Sequence, residues 1–290
     1  MDLQLNKFLC CPVCKGKLYF GEKRLKCLNC DTEYPISHGI PMMFSPAKVE
    51  KSVLFKRYLA NYQKIAGDDL KQPLEKNKVQ RYLPLKDFIG NTKECKILDV
   101  GSAHGEFLRM LNGKNKVAFD IALNYLKVAK RNSLIAVAGD AEELPFEDSF
   151  FEIVICSDVL EHALNPKRII NEIIRVLAPG GKIYLVIPWK EDISKYDSSP
   201  YEFTHLRRFD RTNIRKFFSA LKIKQTKGAI AKKYFRGRRW LMNHSDRKIF
   251  RGILSFFSEI QIKRHGFIHL MIEATPRIGR GGDMDELYSQ

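Results

Sequence analysis

Four cysteines near the N-terminus have the spacing of a metal site. In CPVCKGKLYFGEKRLKCLNC, two residues separate Cys11 from Cys14, and two separate Cys27 from Cys30. Each C-x-x-C turn can direct two thiolates at one ion, and four thiolates form the tetrahedral shell that zinc prefers. Because four protein ligands leave no open coordination position, the sequence predicts a structural zinc ion rather than a catalytic one.

A second set of candidate functional residues follows short apolar runs in the middle of the chain. The spacing predicts strands at 96–100, 116–120, 135–138, 153–157 and 182–187, separated by helical stretches. Ligands of such sheets bind at the carboxyl ends of the strands. The residues at those ends are Asp99, Gly101, Ser102, Ala103, His104, Gly105, Asp120, Ile121, Asp140, Ala141, Ser157 and Asp158.

The helix before the fifth strand is defined by its ends. In NPKRIINEIIRVLAPGG, Asn165 can cap the helix, Pro166 suits its first turn, and residues 179–181 are expected to stop it. Strands that alternate with helices at this spacing predict an α/β fold with a largely parallel sheet and right-handed crossovers.

The central motifs, taken together, resemble those of class I S-adenosylmethionine-dependent methyltransferases. The stretches are ILDVGSAHGEF, AFDIA, AGDAEELPFEDSFFEIVICSDVLEHALNP and IIRVLAPGGKIYLVIP, within residues 94–215. The resemblance implies a Rossmann-like sheet that binds S-adenosylmethionine, with one departure, because Ala103 stands where a glycine is expected. It also implies two last strands, for which 221–229 and 267–275 are the candidates, the second of them antiparallel. By the same resemblance, the cofactor-binding residues are Asp99, Gly101, Ser102 and Gly105 at the amino-acid end, Asp120 and Ile121 at the ribose, Asp140 and Ala141 at the adenine, and Ser157 on the reacting side.

The N-terminal segment also has a family resemblance. Its cysteine spacing and the following YPISHGIPMMF resemble the small zinc-ribbon proteins that activate tRNA and other methyltransferases, here fused to the client enzyme. The apolar side chains of that stretch are too many for so small a core, and we expect them to dock on the larger domain. The predicted organisation is a zinc ribbon at 1–45, a helical linker or lid at 46–93, the methyltransferase domain at 94–275 and a flexible tail at 276–290.

Few catalytic groups are needed, because methyl transfer from a sulfonium mainly requires alignment. His162 and His205 are the candidate general bases, and each could equally be a structural or substrate-positioning histidine. The stretch YEFTHLRRFDRTNIRKFF resembles the small-molecule and glycan branch of the family, including quinone-biosynthesis enzymes. Arg207 and Arg208 are then candidate clamps for a phosphate or carboxylate.

The net charge of +17 is concentrated near the C-terminus, where residues 207–282 hold twenty Lys and Arg against four Asp and Glu. Such a field favours an anionic partner. KKYFRGRRW, at 232–240, interleaves basic and aromatic residues as single-stranded RNA binding requires. Residues 245–260 predict a basic amphipathic helix that either packs on the sheet or lies on an anionic membrane.

Three functions are compatible with these observations. The first is a methyltransferase for an anionic small-molecule, glycan or lipid-linked acceptor, and the second is a tRNA or rRNA methyltransferase. The third is a non-catalytic binding module, which the acids Asp120 and Asp140 argue against. Because the chain has no long apolar run and no signal-peptide pattern, a cytoplasmic location is expected, with contact at the inner face of the membrane as an alternative.

Overall fold

The computed structural model describes residues 5–71, 78–210, 212–229 and 269–277. The basic segment 232–240, the amphipathic helix predicted at 245–260 and most of the tail lie outside these residues. Within them, eleven strands form one sheet in the order β1-β2-β3-β4-β7-β6-β5-β8-β9-β11-β10. The strands are β1 Leu18–Phe20, β2 Arg24–Cys27, β3 Glu33–Ser37, β4 Ile40–Met43, β5 Lys96–Val100, β6 Asn115–Asp120, β7 Ile135–Gly139, β8 Phe151–Ser157, β9 Leu177–Pro188, β10 Leu221–Ala229 and β11 His269–Pro276.

Five parallel strands form the centre of the sheet. The chain runs outward from β5 through β6 to β7, and then returns to the other side of β5 for β8 and β9. This reversal between β5 and β8 is the position at which open α/β sheets bind ligands. The last described strand, β11, lies antiparallel between β9 and β10, as the sequence predicts. The Rossmann-like fold class is confirmed.

Seven helices of the described residues accompany the sheet. They are α1 Pro46–Lys51, α2 Val53–Asp69, α3 Lys78–Ile89, α4 Glu106–Arg109, α5 Leu123–Arg131, α6 Pro166–Val176 and α7 Ile214–Phe217. The cap of α6 is as predicted, because the Asn165 side chain accepts a hydrogen bond from the Arg168 N–H and Pro166 occupies the first turn. Its predicted end is wrong, since α6 stops at Val176 and residues 177–181 already belong to β9.

The zinc ribbon is continuous with the central sheet. Strands β1 to β4 pair antiparallel in sequence order, and β4 then pairs parallel with β7 through Met42↔Ala138 and Met43↔Gly139. Tyr34, in β3, is fully buried. On the other side of the ribbon, Lys15 Nζ donates to the Glu172 carboxylate at 2.9 Å and to the Leu144 carbonyl at 3.1 Å. The ribbon therefore docks on the larger domain, as expected.

Helices α1 and α2 follow the ribbon directly and cross the carboxyl ends of the central strands. The Ser52 hydroxyl caps α2 by accepting from the Phe55 N–H at 3.1 Å. Tyr62, on α2, donates to the Phe203 carbonyl at 3.1 Å, which fixes the helix against the segment that follows β9. No helix among the described residues is both long and apolar enough to pass through a bilayer.

Candidate active site and metal centre

The cysteine tetrad has the geometry of a zinc site. Cys11 Sγ lies 3.7 Å from Cys30 Sγ, and Cys14 Sγ lies 3.4 Å from Cys27 Sγ. Thiolates bound to one zinc ion at about 2.3 Å in a tetrahedron are roughly 3.8 Å apart, so the four sulfurs need little movement to bind it. The backbone N–H groups of Asn29 and Cys30 donate to Cys27 Sγ at 3.3 and 3.5 Å, as is usual around metal-bound thiolates.

A cavity of about 340 Å³ lies between helix α2 and the carboxyl ends of β5 to β8. This volume is in the range of small-molecule sites. The predicted site residues that line it are Gly101, Asp120, Ile121, Asp140, Ala141 and His162. The polar side chains of the lining that sequence reasoning did not assign to the site are Tyr58, Tyr62, Tyr125, Tyr201, Glu142, Asp158 and Thr204.

Asp120 is the central acid of this cavity. Its carboxylate accepts hydrogen bonds from the N–H groups of Ala103, at 2.9 Å, and Ala122, at 2.8 Å. Burial raises the pKa of Asp120 to about 6, although these two donors favour the charged form. Asp99 lies behind it, and burial together with the charge of Asp120 raises the pKa of Asp99 to about 8.

The loop after β5 approaches the cavity with its backbone. Gly101 has φ +75°, and a Cβ added there would lie 2.2 Å from a Val159 methyl carbon. Ala103 also has positive φ, at 47°, and its N–H is one of the two donors to Asp120. The alanine therefore preserves the contact that a glycine would make, at the cost of a less favourable backbone conformation.

Three acids converge on one lysine at the end of β7. Lys48 Nζ, on α1, donates to Asp140 Oδ2 at 2.5 Å and lies 3.6 Å from Glu142 and 3.4 Å from Glu143. The Glu142 N–H donates to the other Asp140 oxygen at 3.0 Å. Asp140 is therefore held in place from two sides, and one of its partners comes from the segment that follows the ribbon.

Five predicted site residues do not line the cavity. Asp99, Ser102 and Gly105 pack behind it, and a Cβ added at Gly105 would lie 2.3 Å from Leu134 Cδ1. Ser157 is not among the lining residues, but its hydroxyl donates to the carboxylate of Asp158 at 3.2 Å, and Asp158 lines the cavity. His205 lies beyond His162.

The two histidines contact one another with Glu161 and Glu191. Their ring centroids are 4.6 Å apart and the rings are perpendicular. His205 Nδ1 shares a 2.5 Å hydrogen bond with Glu191 Oε2, and His162 Nε2 lies 3.9 Å from Glu161 Oε1. Burial and repulsion from His205 lower the pKa of His162 to about 4, so this ring is neutral at pH 7. Burial and the charge of Asp158 raise the pKa of Glu161.

The predicted arginine clamps lie outside the cavity. Arg207 is half-buried and donates to the Leu160 carbonyl at 2.5 Å, and Arg208 is exposed, 3.7 Å from the Asp210 carboxylate. Among the described residues that line the cavity, Asp120, Asp140, Glu142 and Asp158 are acids and none is a lysine or arginine. The cavity therefore favours a cation more than an anion.

Two family models match the chain. A model described as a methyltransferase domain matches residues 98–185, and a model described as a Trm112p-like protein matches residues 2–39. The chain thus contains a methyltransferase domain and a Trm112p-like domain. The methyltransferase match includes the strand ends that carry Asp99, Asp120, Asp140 and Asp158, and the Trm112p-like match includes the cysteine tetrad.

Individual proteins resemble parts of the chain. A demethylmenaquinone methyltransferase of Renibacterium salmoninarum is 37% identical over 33% of this chain and 43% of that protein. The uncharacterized protein MJ0638 of Methanocaldococcus jannaschii is 36% identical over 39% of this chain and 49% of that protein. The chain therefore spans about half or less of these curated relatives.

A solved structure resembles most of the chain. It belongs to the complex between the Haloferax volcanii Trm112 methyltransferase activator and a methyltransferase, with TM-score 0.53 and 16% identity, over 76% of this chain and 98% of that one. At this identity the likeness shows the fold, which is that of the methyltransferase domain with its mixed sheet.

Proposed function

We propose that this chain transfers a methyl group from S-adenosylmethionine to an acceptor that reaches the cavity beside His162. The observation that carries this proposal is the cavity itself. It lies where the strand order of a methyltransferase domain reverses, and its described lining contains four carboxylates and no basic side chain other than histidine. A cationic sulfonium with ribose hydroxyls fits that set of acceptors and charges.

Different residues of the chain would bind different parts of the cofactor. Asp120, whose two oxygens are oriented by backbone N–H groups, would accept from the ribose hydroxyls, and Asp140 would accept from the adenine amino group. Gly101 and Ala103 present backbone beside the amino-acid end. When bound, the cofactor supplies a methyl group on a positively charged sulfur. The enclosing helix α2, with Tyr58 and Tyr62, excludes water and limits the directions from which an acceptor enters.

The acceptor that we propose has an uncharged reacting group and an anionic remainder. The described lining is acidic, which disfavours a phosphate or carboxylate inside the cavity. The positive charge lies instead in residues 207–282, where Arg208 is exposed. A phosphorylated or lipid-linked glycan could place a hydroxyl in the cavity while its phosphates contact this basic part of the chain.

The Trm112p-like domain would act on the methyltransferase domain of its own chain. Strand β4 pairs with β7, and the next helix supplies Lys48 to Asp140 at the end of that same strand. We infer that the ribbon stabilises the adenine end of the cleft from within the chain. Zinc would supply the folding energy of the ribbon and take no part in methyl transfer.

The test uses the full chain and S-adenosylmethionine carrying a labelled methyl group. Calorimetry should show one cofactor molecule bound per chain, and label should pass to one fraction of an extract of the source cell. Label in a lipid-extractable or glycan fraction is the expected result. If the chain fails to bind the cofactor, the methyltransferase proposal is wrong and a non-catalytic binding module remains.

RNA is the second candidate acceptor, and the charge distribution favours it. Twenty basic residues within 207–282 would neutralise a phosphate backbone, and an RNA 2′-hydroxyl or base is also an uncharged reacting group. Label in tRNA or rRNA, together with binding that weakens steeply with salt, would select this candidate and exclude the glycan.

A further inference from the structure

Three potential metal ligands converge beside the cavity, well separated in sequence from the cysteine tetrad. Glu161 and His162 follow β8, and His205 comes from the segment after β9. One ligand atom from each of the three lies within 4.8 Å of the others. We propose that Glu161, His162 and His205 bind a divalent transition-metal ion at the acceptor end of the cavity.

Glu161 is the strongest indication of a missing cation. Its side chain is 1% exposed, and Oε2 has no hydrogen-bond partner among the described residues. The nearby Arg207 guanidinium donates to the Leu160 carbonyl, and no described lysine or arginine is within ion-pair distance of Glu161. A buried carboxylate oxygen without a hydrogen-bond partner is costly, and a metal ion offsets that cost directly.

The two histidines are supported as metal ligands usually are. Glu191 Oε2 holds Nδ1 of His205, which leaves Nε2 for a metal, and the Tyr196 ring stacks on the same imidazole at a centroid distance of 4.2 Å. A carboxylate behind a ligating histidine fixes its orientation and raises its basicity. His205 also keeps a left-handed backbone, with φ 42°, which few residues adopt without a local reason.

His162 needs a small rearrangement. Its Nδ1 accepts from the His205 N–H at 3.3 Å, a long contact that the ring can give up to turn a lone pair toward the ion. Ligand atoms around one ion at about 2.1 Å lie roughly 3 to 4 Å apart, so the cluster must contract by about 1 Å.

Three protein ligands leave coordination positions open. His162 and Thr204 both line the cavity, so an open position of the ion would face the bound acceptor. Two imidazoles and one carboxylate suit borderline first-row metals, and the open positions suit an oxygen ligand. If the proposed methyltransferase function is correct, the acceptor class is one that offers a hydroxyl oxygen to this ion.

The test adds Mn²⁺ to the full chain after one zinc per chain has been verified. Mn²⁺ prefers oxygen and nitrogen to thiolate, so it does not compete for the cysteine tetrad. Loss of the free-ion electron paramagnetic resonance signal should show about one Mn²⁺ bound per chain in the micromolar range. The binding should weaken at least about 100-fold in His205→Gln and in Glu161→Gln.

Two further variants separate ligation from folding. Glu191→Gln should weaken Mn²⁺ binding about 10- to 100-fold, because it removes the group that orients His205. His38→Gln changes an exposed histidine of the ribbon and should bind Mn²⁺ as the unaltered chain does. The zinc content of each variant verifies that it is folded. If Glu161→Gln loses its zinc, the test uses His205→Gln, which changes a half-buried side chain.

Two results would overturn the proposal. One is an unaltered chain that binds no Mn²⁺ at about 1 mM, and the other is a folded His205→Gln variant that binds it unchanged. Neither measurement uses a methyl donor or an acceptor. Cofactor binding without Mn²⁺ binding would therefore reject the metal site alone, and Mn²⁺ binding without cofactor binding would reject the methyltransferase alone.

Discussion

The cysteine tetrad and the Glu161–His162–His205 cluster are two groups of potential metal ligands that are built in opposite ways. The tetrad comes from one stretch of twenty residues, consists of four like ligands and lies in the ribbon, away from the cavity. The histidine cluster joins residues more than forty positions apart, has three ligands and adjoins the cavity. A closed local site serves stability, whereas an open site assembled from distant segments is placed to act on a ligand.

The largest expected effect should follow from removing a ligand of the cysteine tetrad. Cys14→Ser should remove the zinc and unfold the ribbon, because metal binding supplies much of the folding energy of so small a module. Since β4 then loses its support, we expect the melting temperature of the whole chain to fall by about 10 °C or more. Metal analysis and calorimetry measure both effects.

The control for the tetrad is Cys95→Ser, which changes a partly buried thiol outside it. This variant should keep its zinc and melt within about 3 °C of the unaltered chain. If Cys14→Ser melted at the same temperature as the control, the ribbon would not contribute to the stability of the methyltransferase domain.

A change in the cavity should weaken cofactor binding more than it lowers stability. Asp120→Asn should weaken S-adenosylmethionine binding about 10- to 100-fold, since a charged acceptor for the ribose hydroxyls is lost. The melting temperature should fall only moderately, because the amide keeps one of the two backbone hydrogen bonds and the substitution also removes a buried charge. Calorimetry with Asp31→Asn, an exposed ribbon residue, as the control measures the difference.

Stability and cofactor binding should also differ in how they depend on pH. The pKa of Asp120 is about 6 in the folded chain, above its ordinary value, so the folded state binds the extra proton. The stability that Asp120 contributes is therefore fully present below its ordinary pKa of 3.8 and is lost as the pH rises through about 6. Cofactor binding should change in the opposite direction, because it needs the carboxylate, and affinity should increase up to about tenfold from pH 5 to pH 7.

Asp120→Asn also serves as the control for this measurement. Its affinity, weaker throughout, should stay flat over the same pH range. An equally steep profile in the variant would assign the titration to a different group.

The smallest expected effect comes from changing a contact that connects the segment after the ribbon with the cavity. Lys48→Met removes the cation that holds Asp140, and we expect cofactor affinity to fall about three- to tenfold with the zinc content unchanged. Lys51→Met, an exposed change on the same helix, is the matched control. Equal affinities in the two variants would mean that the segment after the ribbon does not contribute to the cleft.

The parts of the site that could be predicted from the sequence are those that depend on local patterns. The four cysteines, the cap at Asn165 and the acids after β6 and β7 depend on spacing within about twenty residues or on the end of a predicted strand. The Rossmann-like sheet followed from the alternation of strands and helices. Ser157 and Asp158 are adjacent at the end of β8, and the sequence pattern alone does not indicate which of the two lines the cavity.

The parts that were missed depend on distant pairs. No local signal indicates that β4 pairs with β7, almost one hundred residues later, or that Lys48 contacts Asp140. Glu191 was missed because its role comes from His205, fourteen residues away across an irregular segment. Tyr58 and Tyr62 belong to the predicted linker or lid at 46–93, and only the fold shows that they line the cavity.

The pairing of β4 with β7 has a consequence for assembly. Strand β4 of the ribbon and strand β7 of the central sheet belong to one polypeptide. Because the two parts are covalently joined, their contact is intramolecular, which raises the effective concentration of each part at the other. Dilution cannot separate the two, and each methyltransferase domain is synthesised with its own ribbon in a fixed one-to-one ratio.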